Sequence, residues 1–83
     1  MGLMMGIENN QKEKEKIYPN PTNGIINIDF ENIRKIILLN SSGTKIQELN
    51  NKSFIDLRKY SKGIYYIKIV TDRKIRIKKV VLE

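Results

Sequence analysis

Apolar residues in residues 17–83 recur at every second position in short runs, and turn-forming residues interrupt these runs about every ten residues. A two-residue period is the pattern of a half-buried β-strand, and no part of this stretch has the spacing of an amphipathic helix. Six or seven short strands separated by turn signals are typical of two antiparallel sheets packed face to face. The sequence therefore predicts that residues 17–83 form an all-β domain, a small antiparallel β-sandwich of six to seven strands.

The predicted strands differ in how clearly they divide into an inner and an outer face. A continuous apolar run at residues 36–39 lies within the strand predicted at residues 33–40, and it indicates either burial on both faces or a change of phase. Residues 40–43 have the composition of a tight turn, which predicts a hairpin with the next strand. The clearest core positions are alternate residues of two other strands: Ile26, Ile28, Phe30, Tyr65, Ile67 and Ile69.

A proline-rich segment opens the predicted domain. Pro19 and Pro21 exclude a helix or a central strand there, because each proline fixes φ and lacks a backbone donor. Asn20 is expected to be extended, since it precedes a proline. Residues 20–23 then suit a type I turn with Pro21 at its second position, and Gly24 is expected to take a positive φ at the exit. The chain is therefore predicted to reverse sharply into the first clear strand.

The composition removes most reactive chemistry from this chain of 83 residues. It contains no cysteine, histidine or tryptophan, which excludes disulfides, thiolate metal sites and the usual general base. A sandwich of this size offers no deep cleft in which to raise the pKa of a carboxyl group. The acids that could otherwise form a catalytic pair lie mostly at strand ends and turns: Asp29, Glu31, Asp56, Asp72 and Glu83. We therefore expect no catalytic residue, metal, cofactor or small-molecule substrate.

Residues 1–16 are polar and lack apolar periodicity, so they cannot bury enough surface to offset the entropy lost on ordering. We interpret them as a disordered linker or a cloning remnant that precedes the folded domain at residues 17–83. Residues 1–6 lack the basic start and long apolar stretch of a signal peptide, and no apolar run is long enough to span a bilayer.

The net charge of +7 arises entirely after residue 16, and five cations fall within residues 73–79. Ile75 and Ile77 are expected to face the core, which would leave alternate cations in a solvent-facing row. Val80 and Leu82 have the opposite parity, which predicts a β-bulge near residues 78–79. Such a row could protect an edge strand, contact a partner or bind nucleic acid, and we favour the first two. The predicted contact residues are Lys74, Arg76, Lys78 and Lys79.

Three sequence signals follow one another in order. The domain opens with Tyr-Pro-Asn-Pro-Thr-Asn-Gly at residues 18–24, continues with Asn-Ser-Ser-Gly at residues 40–43, and reaches Gly-Ile-Tyr-Tyr at residues 63–66 before a final Lys-Lys-Val-Val-Leu. This ordered set resembles the type A C-terminal sorting domain of the type IX secretion system. The residues that match its motifs are Pro19, Asn20, Pro21, Gly24, Asn40, Gly43, Gly63, Tyr65, Lys79, Val80 and Val81.

The resemblance implies a sorting signal without an activity of its own, built on an immunoglobulin-like β-sandwich. It implies that a cargo polypeptide is fused upstream and crosses the inner membrane by means of a signal peptide. An outer-membrane translocon and its shuttle protein would recognise the folded domain, and a sortase-like surface protease would release the cargo at the surface of a Gram-negative bacterium. Because neither cargo nor signal peptide is present here, we expect the chain to be part of a longer polypeptide.

Overall fold

The computed structural model describes residues 15–83, which form seven β-strands and no helix. Nothing in that part of the chain could therefore cross a membrane as a long apolar helix. In chain order the strands are β1 Lys16–Tyr18, β2 Ile25–Asp29, β3 Ile33–Leu39, β4 Lys45–Asn50, β5 Phe54–Asp56, β6 Gly63–Thr71 and β7 Ile75–Leu82.

The strands form two antiparallel sheets. One sheet has three strands in the order β1-β2-β5, and the other has four strands in the order β4-β3-β6-β7. β3 and β4 form the hairpin predicted from residues 40–43, and β6 and β7 form a second hairpin in the same sheet. The predicted all-β class is confirmed, and the two sheets are consistent with an immunoglobulin-like sandwich.

β1 is a strand that the sequence alternation does not reveal, because Ile17 is the single residue that it contributes to the interior. Ile17 pairs with Ile28 of β2 and packs against the core, and Lys16 pairs in register with Asp29. The predicted linker at residues 1–16 lies outside the described residues except for its last two, so it stays a prediction.

The core lies between the sheets and consists of alternate residues from their facing sides. Ile36 and Leu38 of β3 are fully buried, whereas Ile37 and Leu39 are half-buried on the outer face. The continuous apolar run therefore follows simple alternation. The other buried apolar side chains include all six predicted core positions: Ile26, Ile28, Phe30, Ile55, Leu57, Tyr65, Ile67, Ile69, Val80 and Leu82.

The predicted facing of β7 is wrong. Ile75 and Ile77 are 53% and 59% exposed, whereas Val80 and Leu82 are buried. β7 pairs with β6 without interruption, so there is no bulge near residues 78–79 and one parity holds along the whole strand. Along the inner face of β7, burial decreases from Leu82 and Val80, which are buried, through half-buried Lys78 to exposed Arg76.

Candidate recognition surface

The proline-rich opening segment lies along the outer edge of β7. The Nδ2 atom of Asn20 donates a hydrogen bond to the carbonyl oxygen of Lys79 at 2.8 Å, and its Oδ1 accepts one from the amide of Val81 at 3.1 Å. One amide side chain thereby satisfies both a carbonyl and an amide on the outer edge of β7. Without Asn20 these two backbone groups would depend on water for their hydrogen bonds. Pro19 and Pro21, on either side of Asn20, both follow cis peptide bonds.

Thr22 extends this contact through its main chain. Its amide donates to the carbonyl oxygen of Val81 at 2.9 Å, and its carbonyl oxygen accepts from the amide of Glu83 at 2.8 Å. The two bonds make a parallel bridge between Thr22 and Leu82. The opening segment and the end of β7 are therefore one structural unit. No sequence pattern indicates this contact of Thr22, because it is made by backbone groups.

The Thr22 side chain organises the exit from the opening segment. It is 3% exposed, and its Oγ1 donates to the carbonyl oxygen of Ile25 and accepts from the amide of Gly24, both at 3.1 Å. This local side-chain bonding takes the place of the type I turn predicted at residues 20–23. Thr22, at the third position of the predicted turn, instead pairs with Leu82 in the manner of a strand residue, and no backbone hydrogen bond from Asn23 to Asn20 closes a turn there.

Gly24 is required by close packing, and not by the positive φ that the turn prediction assigned to it. The glycines with positive φ in residues 15–83 are Gly43 and Gly63. A Cβ atom added to Gly24 would lie 2.7 Å from the Cγ atom of Arg58. The carbonyl oxygen of Gly24 also accepts from the amide of Leu57 at 2.8 Å. Gly24 therefore allows the start of β2 to pass close to the segment that follows β5.

Asn40 and Gly43 shape the turn of the β3–β4 hairpin, as predicted. The Oδ1 atom of Asn40 accepts from the amides of Ser42 at 3.0 Å and Thr44 at 2.9 Å. The amide of Gly43 donates to the carbonyl oxygen of Asn40 at 2.9 Å, and Gly43 has a φ of 87°. An asparagine that bonds forward to the backbone and a glycine in the left-handed region are what this tight turn requires.

Gly63 and Tyr65 form the corner that leads into β6. Gly63 has a φ of 148°, which favours glycine, and Tyr65 is 7% exposed with its hydroxyl donating to the carbonyl oxygen of Ser61. The ring of Tyr65 lies 6.1 Å from that of Tyr60, whose hydroxyl donates to Oε1 of Gln47 at 2.7 Å. These contacts connect the corner to β4 and satisfy both hydroxyl donors.

The last three motif residues, Lys79, Val80 and Val81, alternate between the surface and the core. Val80 is fully buried and pairs with Tyr65, whereas Lys79 is exposed on the outer face and pairs with Tyr66. Val81 is half-buried on the outer face, and its backbone binds the opening segment. Lys79 is therefore the residue of this group whose side chain is free to meet a partner.

The motif residues gather at one end of the sandwich, although they are spread along the chain. β2 and β6 begin at this end, and β3, β5 and β7 finish there, as the pairs Ile25–Asp56, Leu39–Tyr66 and Gly63–Leu82 require. We call it the motif end. The chain enters β1 at the opposite end, where Lys16 pairs with Asp29.

The sequence matches the family model of the secretion system C-terminal sorting domain over residues 16–83. The chain belongs to this family. The matched region starts at the first residue of β1 and contains all seven strands. No curated protein matches the sequence. The interpretation as a type IX sorting domain is thus confirmed.

A sorting domain of this family is a C-terminal secretion signal that is fused to a cargo polypeptide and interacts with the type IX secretion machinery. In Gram-negative bacteria it implies export to the cell surface or secretion. The family is not an enzyme family.

Arg76 and Lys78 share one face of β7, as the predicted row of Lys74, Arg76 and Lys78 requires, but it is the inner face that also carries buried Val80 and Leu82. Lys74 precedes the strand, and Lys79 lies on the outer face of the sheet. Glu15, just before β1, forms an ion pair with Lys74, and its Oε1 lies 3.7 Å from Nε of Arg76. Two of the predicted contact residues are thus engaged within the sorting domain.

Two exposed carboxylates are held in their ionised form by neighbouring cations. The Arg58 side chain donates to both carboxylate oxygens of Asp56, with its Nη2 at 2.7 Å from Oδ2, and lowers the pKa of Asp56 to about 2. Lys45, at 2.9 Å, and Lys35, at 3.3 Å, lower the pKa of Glu48. Lowered pKa values suit structural anchors and do not suit groups that must take up a proton near neutral pH.

A depression of about 470 Å³ lies at the end of the sandwich opposite the motif end. Three carboxylates and two cations line it: Glu15, Glu31, Asp72, Arg73 and Lys74. Nowhere in residues 15–83 do three or more acidic side chains converge in a way that could hold a metal ion. The mixed charges of this depression do not define a reactive centre.

Proposed function

We propose that this sorting domain directs an upstream cargo polypeptide through the outer-membrane translocon of the type IX system, as a type A signal recognised in its folded state by the shuttle protein. The cargo reaches the periplasm by its own N-terminal signal peptide. At the cell surface a sortase-like protease releases the cargo from the domain.

The gathering of the motif residues at one end carries this proposal. Asn20 and Thr22 bind the end of β7 there, so a receptor would meet the first and last parts of the motif together. The chain enters at the other end, before Lys16. A cargo attached there leaves the motif end accessible, which is the arrangement that a signal read in the folded state needs.

Release of the cargo fits a position on the N-terminal side of Glu15. Glu15 is ion-paired with Lys74, and Lys16 is the first residue of β1. A protease binds its substrate as an open extended segment, so residues engaged in a sheet or an ion pair are poor cleavage positions.

The proposal is tested by fusing the whole chain behind a signal peptide and a reporter in a bacterium that has the type IX machinery. We expect the reporter at the cell surface or in the medium. The matched control is the same fusion in a strain that lacks the translocon, where the reporter should stay in the periplasm. Periplasmic retention in both strains would contradict the proposal.

Binding of nucleic acid is the second candidate, and the net charge of +7 favours it. It predicts binding of a single-stranded oligonucleotide that weakens steeply as salt is added. Absence of binding at low salt would eliminate it. The ion pairs of Glu15 with Lys74 and Arg76 reduce the number of cations that such a site could use.

A further inference from the structure

The outer face of the four-stranded sheet carries a regular mixture of apolar and cationic side chains. Across β6 and β7, Tyr66 pairs with Lys79 and Lys68 pairs with Ile77. Their neighbours along both strands, Tyr65, Ile67 and Val80, are buried, so these four side chains point away from the core. We call them the outer patch: Tyr66, Lys68, Ile77 and Lys79.

The outer patch is continuous with exposed apolar surface. Ile77 is 59% exposed, and Ile75, two residues before it on the same face, is 53% exposed. Ile64, at the other end of the outer patch beyond Tyr66, is 42% exposed. Isoleucines on an open sheet face stabilise the fold little, because they remain largely in contact with water. Exposed apolar side chains that adjoin one another, as Ile75 and Ile77 do here, are typical of a surface that another molecule covers.

The charges on this face are unbalanced at the outer patch. On the β3–β4 side, Lys35 and Lys45 both form ion pairs with Glu48. On the β6–β7 side, Lys68 and Lys79 have no carboxylate within ion-pair distance among the residues that the structure describes. Their charge is therefore available to an acidic partner.

The outer face of the other sheet lacks this imbalance. Tyr18, Ile25 and Phe54 are 48%, 39% and 47% exposed there. Lys16 lies opposite Asp29 across β1 and β2, and the acid beside Ile25, Asp56, is paired with Arg58. The exposed apolar groups of the three-stranded sheet are thus accompanied by balanced charges, and they do not select an acidic partner.

We propose that the outer patch is a docking surface for an acidic protein surface of the secretion machinery. The carboxylates of the partner would contact Lys68 and Lys79, and its apolar side chains would cover Tyr66 and Ile77. A protein is favoured over other polyanions because the sorting domain family interacts with secretion machinery. The inference rests on the proposed function. It adds which face of the sorting domain is recognised and that the partner's surface is acidic.

The first test reverses the two charges. The whole chain carrying Lys68→Glu and Lys79→Glu is fused to the signal peptide and reporter described above. The control is Lys52→Glu with Arg73→Glu, which changes the net charge equally at two exposed loop positions outside the outer patch and at the end opposite the motif end. We expect the outer-patch variant to lose export by about tenfold or more and the loop variant to behave as the wild type.

The outcomes separate this inference from the proposed function. Failure of the wild-type fusion to leave the periplasm would remove the proposed function itself. Normal export of the wild type and of the outer-patch variant would overturn the docking surface alone. An equal loss in the loop variant would also overturn it, because net charge would then be the cause. If thermal unfolding shows that the Glu variant does not fold, Lys68→Gln with Lys79→Gln takes its place.

A second test identifies the partner. A photo-crosslinking residue at position 77 of the fused chain is expected to attach to an acidic segment of a secretion component. Reversal of the acidic residues of that segment to lysine should restore export of the Lys68→Glu, Lys79→Glu variant. No crosslink to such a segment, or no rescue, would overturn the inference.

Other anions are tested with vesicles of anionic phospholipid and with a single-stranded oligonucleotide. Binding of the wild-type chain to either probe, lost in the outer-patch variant in parallel with export, would assign the surface to that polyanion and overturn the protein partner. If the chain binds neither probe, or if the substitutions leave binding unchanged, the result supports an acidic protein as the partner of the outer patch.

Discussion

Replacement of Asn20 by alanine should detach the opening segment from β7. The substitution removes two hydrogen bonds, to the carbonyl oxygen of Lys79 and from the amide of Val81. A hydrogen bond contributes about 0.5–1.5 kcal/mol net, and both of these are exposed to water, so the lower half of the range applies. The free energy of unfolding should therefore fall by about 1–2 kcal/mol.

For a domain of this size, that loss corresponds to a decrease in Tm of roughly 4–16 °C. Thermal unfolding followed by circular dichroism measures it, and hydrogen exchange at the amide of Val81 reports the same contact locally. Asn23→Ala is the matched control, because Asn23 is exposed in the same segment and none of the hydrogen bonds of the described chain involves its side chain.

The reasoning would be refuted if Asn20→Ala and Asn23→Ala had the same Tm and the same protection of the Val81 amide. Such a result would mean that water replaces the Asn20 side chain without loss. It would also mean that the main-chain bridge between Thr22 and Leu82 holds the opening segment without help.

Three further predictions concern the corners and charges of the sorting domain. Gly63→Val should destabilise it by about 1–3 kcal/mol through the backbone alone, since φ is 148° and an added Cβ meets nothing within 4 Å; an unchanged urea midpoint would contradict this. Gly24→Ala should destabilise through contact with Arg58, so its cost should shrink in an Arg58→Ala background; equal costs in the double-mutant cycle would show that the contact is unimportant. Asp56→Asn should lower Tm at neutral pH. Because the pKa of Asp56 is lowered from 3.8 to about 2, the stabilisation is complete above pH 3.8 and is lost as the pH falls towards 2, so the difference from wild type should close over that interval; a constant difference would contradict it.

Alternation of apolar and polar residues predicts the buried face of a strand correctly where one alternation continues along the whole strand. In β2 and β6 a single alternation runs without a competing pattern, and the structure buries the predicted residues: Ile26, Ile28, Tyr65, Ile67 and Ile69. β7 contains two alternations of opposite parity. The structure buries the alternation of Val80 and Leu82, and residues 75–82 by themselves do not show which of the two alternations packs against the rest of the domain.

The contact at the motif end could not be predicted for a related reason. Asn20 bonds to backbone groups 59 and 61 residues away, and a backbone amide or carbonyl has no side-chain signature. From the sequence, Pro-Asn-Pro indicates only a reversal of the chain. Gly24 is expected to take a positive φ at the exit of the turn, whereas the structure requires glycine there because an added Cβ would meet Arg58 after β5.

The central claim is that the signal is the folded unit formed by the opening segment and the end of β7. The most direct measurement is the fraction of fused reporter that reaches the cell surface for the wild type, Asn20→Ala and Asn23→Ala in one host. The account predicts surface exposure for the wild type and Asn23→Ala and a clear reduction for Asn20→Ala. Equal export of all three, or retention of the wild-type fusion in the periplasm, would contradict it.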